Sequence, residues 1–185
     1  VTCGFSVAAC GLALMLKSTL GMGPWGALEV GLSHTTGLSV GQITQLISLS
    51  LVFVSWGLGI KPSLVTLMNM FFIGWFLDRY IELIPVAPSL TASVLSYASG
   101  ILVYCFGISF YLSVATNSSG PRESLMLGVS KKTHMSIRIS KILIDSFALI
   151  LAFVFKGPIG IGTILFACSA GPLIHYFLKV LKYSS

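Results

Sequence analysis

The stretch Gly23-Pro24-Trp25-Gly26-Ala27-Leu28-Glu29-Val30-Gly31-Leu32-Ser33 returns later in the chain as Gly120-Pro121-Arg122-Glu123-Ser124-Leu125-Met126-Leu127-Gly128-Val129-Ser130. A shift of 97 positions superposes Gly23, Pro24, Leu28, Gly31, Ser33, Thr36 and Ser39 on identical residues, the last two being Thr133 and Ser136. So dense a match in so short a window reads as duplication. The chain is therefore expected to be a single domain, 1–185, built from two related halves at about 1–88 and 89–185.

The medium in which such halves fold follows from the charge. With 55% hydrophobic and 9% charged residues and a mean hydropathy of +0.96, the chain has too few polar groups to coat a water-soluble globule. A spanning helix needs about 20 mainly apolar residues. Uncharged runs at 1–16, 43–60, 83–121 and 157–178, with two weakly charged ones at 63–84 and 139–155, predict six transmembrane helices. Val1 already lies in an apolar run, so the first span is expected to be clipped at its start. A secretory signal peptide is the competing reading, disfavoured because no basic n-region precedes the run and the repeat uses it as its first helix.

Metal, redox and nucleic-acid chemistry find little support. Cys3, Cys10, Cys105 and Cys168 lie in apolar runs without a Cys-x-x-Cys spacing and read as ordinary buried thiols. His34, His134 and His175 are scattered over different segments, where a metal site needs clustered ligands. The net charge of +6 comes from residues at span ends, which is a membrane-orientation signal rather than a nucleic-acid footprint. No nucleophile elbow or metal motif points to an enzyme, and no cofactor is expected.

Local signals place the elements. Gly21-Met22-Gly23-Pro24 breaks the first helix, and Pro24 suits the first turn of a new one because its missing N–H is not needed there. A helix of about 12 residues ending at Thr36-Gly37 rises only about 18 Å, too short to cross the hydrocarbon core. It must lie in the interface or dip in and return. Ser39-Val40-Gly41-Gln42 is a capping box that starts the second span. Asp78, Arg79 and Glu82 form an interfacial charge cluster at the end of the third. The fourth span is rich in Ser, Gly and Tyr, which predicts close packing inside the bundle. Thr116-Asn117-Ser118-Ser119 is expected to break it before the second Gly-Pro segment, and Lys141 and Asp145 sit one turn apart on the fifth.

Three spans per half force the second half to enter the membrane from the opposite side. The predicted fold is thus an all-α membrane protein of two inverted three-helix repeats, each with a short Gly-Pro-initiated helix after its first span. With the N-terminus inside, the inner face receives Lys61, Arg122, Lys131, Lys132, Arg138, Lys141, Lys179 and Lys182, and the outer face only Lys17, Arg79 and Lys156. Both termini are therefore expected in the cytoplasm. The two short helices then enter from opposite faces with their positive dipole ends approaching each other.

That convergence defines the candidate site. Gly23, Pro24 and Trp25 of one copy and Gly120, Pro121, Arg122 and Glu123 of the other would line a cavity between the halves. Thr66 and Thr163 are repeat partners at span starts and Asn69 lies within a span; cavity lining and backbone bonding are both open to such residues. Asp145 with Lys141 is the candidate for ion or proton coupling, weighed against a structural ion pair.

Gly-Pro-Trp followed by Thr36-Gly37-Leu38-Ser39-Val40-Gly41, Lys61-Pro62 leading to Thr66, Gly-Pro-Arg followed by Leu125-Met126-Leu127, and Gly160-Ile161-Gly162-Thr163 before Gly171-Pro172 together resemble the YczE/YyaS/YitT family of bacterial membrane proteins, in its YczE-like branch. The resemblance covers nearly the whole chain and implies an integral protein of the bacterial inner membrane. The family's pattern carries an acid after Gly-Pro-Trp and an Asp after Gly-Pro-Arg, where this chain has Gly26 and Glu123. Two activities are consistent with these features. One is a small-solute transporter or permease-like protein with its site between the halves; the other is a non-transporting scaffold that binds or stabilises a partner protein.

Overall fold

A computed structural model describes residues 1–114 and 120–183. The predicted break at Thr116-Asn117-Ser118-Ser119 lies outside the described residues. Among the described residues all regular structure is helical, in the order α1 (Thr2–Lys17), α2 (Pro24–Thr36), α3 (Val40–Gly57), α4 (Leu64–Leu83), α5 (Leu90–Val114), α6 (Pro121–Thr133), α7 (Ile137–Val154) and α8 (Ile161–Tyr183). Each half thus repeats one pattern: a helix, a 13-residue Gly-Pro helix, an 18-residue helix and a longer one.

Four of these, α3, α4, α5 and α8, are long and apolar enough to cross a membrane, fewer than the six expected. The shortfall has two local causes. At 16 residues, α1 rises about 24 Å against a hydrocarbon core of about 30 Å. The other helix, α7, carries Arg138, Lys141 and Asp145 within its first turns.

Capping residues set the boundaries. Ser39 and Gln42 form the expected reciprocal box at the start of α3, and Ser63 and Thr66 form a second one on α4. Pro24 and Pro121 open α2 and α6, with Gly23 and Gly120 as N-caps, and α2 ends at Gly37 with φ +74°. Asp78, at the end of α4, accepts from the Ser39 hydroxyl at 2.5 Å and from the Gly41 N–H at 2.7 Å. It therefore ties two helices together at the positive end of α3, while Arg79 and Glu82 make an exposed pair at 3.6 Å. Asp78→Ala is expected to lower stability by about 1 kcal/mol in thermal unfolding, whereas Arg79→Gln stays close to the parent because exposed pairs contribute little.

The segment between α1 and α2 is irregular yet buried, with Ser18, Gly21, Met22 and Gly23 all inside. Its backbone is satisfied by the α7–α8 connection: the Met22 N–H donates to Pro158 at 3.1 Å, and the Leu20 carbonyl accepts from Gly162 at 2.9 Å. Such backbone is tolerated in a membrane protein where it is packed in protein. Gly21, at φ +106°, also lies so close to Gly160 that a Cβ would sit 2.7 Å from its nitrogen.

At the centre, α1 and α5 run antiparallel. Gly4 faces Gly107 and Tyr111, Gly11 faces Gly100 and Tyr104, and the Ser96 hydroxyl donates to the Leu14 carbonyl at 2.9 Å. Here small residues let two backbones approach. Around this pair the packing is reciprocal: α1 lies on α4 as α5 lies on α8, and α2 lies on α7 as α6 lies on α3. Gly31 meets Phe155 and Gly157, and its repeat partner Gly128 meets Leu58 and Ile60 at the equivalent places. The reciprocity breaks at one point. Helix α3 packs along α4, whereas α7 makes no comparable contact with α8 among the described residues.

Candidate functional site

The first turns of α2 and α6 meet. Arg122, second residue of α6, lies with its Cζ 5.4 Å from the ring centre of Trp25, second residue of α2. These are repeat partners, so the two copies of the Gly-Pro motif touch through the one position at which their chemistry differs most. The geometry suits a cation–π contact, worth about 0.5–2 kcal/mol depending on desolvation.

Arg122 is also ion-paired with Glu29, one turn further along α2. Glu29 is 1% exposed, the deepest carboxylate in the chain, and Arg122 is about a quarter exposed. Burial pushes the Glu29 carboxyl above its ordinary value, while the Arg122 charge and the Thr44 hydroxyl act in the opposite direction. Gly26 does leave the α2 motif without an acid beside Trp25, but Glu29 supplies one on the next turn. Sequence reasoning missed it because its partner at the shifted position is Met126, so the repeat does not mark it. The available signal was an acid in a short, otherwise apolar helix, which needs a partner.

The other side of Trp25 is held by α7. Its indole Nε1 donates to Asp145 at 3.0 Å, and the second oxygen of Asp145 is paired with Lys141. A continuous polar chain therefore runs Glu29, Arg122, Trp25, Asp145, Lys141 across both halves.

Beside Arg122 lies a cavity of about 40 Å³ lined by Leu12, Thr44, Ser48, Asn69, Ile73, Tyr104, Ile108, Tyr111, Pro121, Arg122 and Glu123. That space holds about two or three waters. Asn69 and Ser48 are 8% and 5% exposed, and neither side chain has a hydrogen-bond partner among the described residues. Their polar atoms face the cavity, the arrangement expected where a polar occupant completes the bonding. Thr66 and Thr163 stand elsewhere: each hydroxyl accepts from a backbone N–H at the start of its helix, from Ser63 at 3.3 Å and from Gly160 at 3.2 Å. Gly23 and Gly120 are the N-caps; a Cβ on Gly23 would run into the Phe166 ring, and one on Gly120 into the Glu123 carboxylate.

On its far face Trp25 lines a second, apolar groove of about 630 Å³ between α3 and α7, floored by α2 and α6. The Trp25–Arg122 stack thus forms a wall between an apolar groove and a polar cavity.

Comparison with known proteins finds relatives along nearly the whole chain. The pattern of a family described as "Family of unknown function (DUF6198)" matches residues 1–179. The chain is 33% identical to the uncharacterized protein YyaS of Bacillus subtilis (strain 168), over 97% of this chain and 90% of that one. It is 31% identical to the uncharacterized membrane protein YczE of the same organism, over 95% and 82%. Its identity to an uncharacterized protein of Haemophilus influenzae is also 31%, over 95% and 80%. No solved structure matches.

Proposed function

The chain belongs to the DUF6198 family and is a membrane protein, and on that premise we propose that it is a small-solute transporter or permease-like protein of the bacterial inner membrane. Its six membrane segments form two inverted halves, with both termini cytoplasmic and the solute site between the halves. The antiparallel α1–α5 pair and the reciprocal packing of α2 on α7 and α6 on α3 support the inverted arrangement.

The observation that carries the transport reading is the polar cavity at the meeting of the two short helices, with Asn69 and Ser48 unpartnered inside it. A scaffold whose short helices only brace a partner has no use for such a void. At about 40 Å³ the cavity is too small for a metabolite, so the described state is closed. Passage then requires the Trp25–Arg122 stack to part. Asp145, bonded to Trp25 and to Lys141, is the carboxylate through which a proton or ion would couple to that opening.

Purified protein in liposomes is expected to move a member of a library of small polar metabolites. Asn69→Leu with Ser48→Val should reduce that flux at least about tenfold, because each removes a hydrogen bond to the occupant. Folded protein that moves nothing across a broad library contradicts the proposal.

A further inference from the structure

The apolar groove between α3 and α7 is separate from the polar cavity, and what fills it does not depend on the transport reading. Helices α3 and α7 face each other across it without packing together, and α2 and α6 close its floor. Its walls include Leu46, Val54, Leu143 and Phe147, each at least half exposed. The one hydroxyl in its lining, that of Ser50, is satisfied by the Leu46 carbonyl at 3.0 Å. Nothing within the groove asks for a polar ligand.

Its length and ends are more specific. The lining runs from Ile43 to Val54 on α3 and from Leu143 to Phe155 on α7, about 16–18 Å by helical rise. That is a little over half of the roughly 30 Å hydrocarbon core, the depth of one leaflet. At one end stands the α6–α7 corner, where Lys131, Lys132, Arg138 and Lys141 lie within a short stretch and are all exposed. Of these four, only Lys141 has an ion pair among the described residues, with Asp145, which is in turn bonded to the groove residue Trp25. A dry slot one acyl chain long, with a surplus of cations at one end, matches an anionic amphiphile in both shape and charge.

We propose that this groove is a binding site for an anionic phospholipid, with one acyl chain laid between α3 and α7 over Trp25 and the phosphate held at the basic α6–α7 corner. The lipid is then a structural part of the membrane-embedded protein, filling the gap that the two halves leave between them. The cations at the corner select the headgroup, while the groove, being apolar throughout, accepts any chain of suitable length.

Trp25 is a built-in reporter. The chain has three tryptophans, and Trp56 and Trp75 are exposed on the outside of α3 and α4. With Trp56→Phe and Trp75→Phe, fluorescence reports Trp25 alone. In bilayers containing brominated chains, brominated phosphatidylglycerol is expected to quench Trp25 with an apparent affinity at least about fivefold above that of brominated phosphatidylcholine. Lys132→Gln with Arg138→Gln should bring the two lipids to parity without loss of quenching. Native mass spectrometry of the unaltered chain, which needs no substitution, should retain phosphatidylglycerol in preference to phosphatidylcholine. Equal quenching by both lipids in the parent overturns the proposal, as does a preference that survives the charge-neutral pair. Absence of quenching also overturns it, and a dimeric mass alongside would identify a second copy as the groove's occupant.

Discussion

Arg122→Leu is expected to yield almost no folded protein on detergent extraction, and whatever folds should lose about 3–5 kcal/mol of stability. The reason is Glu29. Its carboxylate is 1% exposed and paired with Arg122, and removing the guanidinium leaves a buried charge without a partner. The carboxyl must then take up a proton or draw water into the packed region, and either outcome costs stability. The cation–π contact with Trp25 is lost as well. The same logic predicts that Arg122→Leu combined with Glu29→Leu recovers most of the loss, because the pair is then replaced by apolar groups of similar volume. Thermal unfolding followed by size-exclusion monodispersity distinguishes these cases. If the single Arg122 variant is as stable as the parent, the buried pair does not hold the two short helices together.

A second large effect is expected at the α1–α5 contact. A Cβ on Gly107 would lie 2.9 Å from the Gly4 carbonyl oxygen and from the Ala8 Cα. These are backbone atoms that cannot rotate away. Gly107→Leu therefore forces the two central helices apart. Overpacking costs about 1–3 kcal/mol at ordinary core sites and more where the backbone must move. The separation also propagates, since α1 carries α4 and α5 carries α8. Loss of the monodisperse peak is the expected result. Gly57→Ala, at the last residue of α3, is the matched comparison: apart from its chain neighbours and its own helix backbone nothing lies within 4 Å of the added methyl, so it should be neutral or gain up to about 1 kcal/mol from helix propensity.

The parts of this arrangement that are legible in the sequence are the local and the repeated ones. The Gly-Pro helix starts, the Ser39–Gln42 capping box and the Lys141–Asp145 pair each involve residues within a turn of one another. The contacts that build the site are not local. Trp25 reaches Asp145 across 120 positions and Arg122 reaches Glu29 across 93, and neither contact can be read from spacing. Asp78 reads as part of a surface charge cluster because its partners, Ser39 and Gly41, are on the neighbouring helix. Thr66 and Thr163 show the converse. They are repeat partners near span starts, and the structure has both hydroxyls capping their own helices.

The repeat also hides asymmetry. The copies of the motif match at Gly, Pro and Leu, yet the chemistry lies where they differ. Trp25 stands opposite Arg122, and Glu29 takes the place of Met126. A single polar chain thus forms between two halves that are similar in backbone and different in charge. The same divergence explains why α7 does not read as a span although its partner α3 does: α7 is as apolar on average but carries three charges, Arg138, Lys141 and Asp145, where α3 carries none.

In the proposed inverted arrangement the two short helices approach one polar cavity from opposite faces of the membrane. Thr36 and Thr133 are repeat partners at the exposed ends of α2 and α6. With Cys3, Cys10, Cys105 and Cys168 replaced, a single cysteine at each position can be labelled with a membrane-impermeant maleimide in right-side-out and inside-out vesicles. Thr36→Cys should label from the outer face alone and Thr133→Cys from the cytoplasmic face alone. Labelling of both from the same face would contradict the inverted arrangement, and with it the site between the halves.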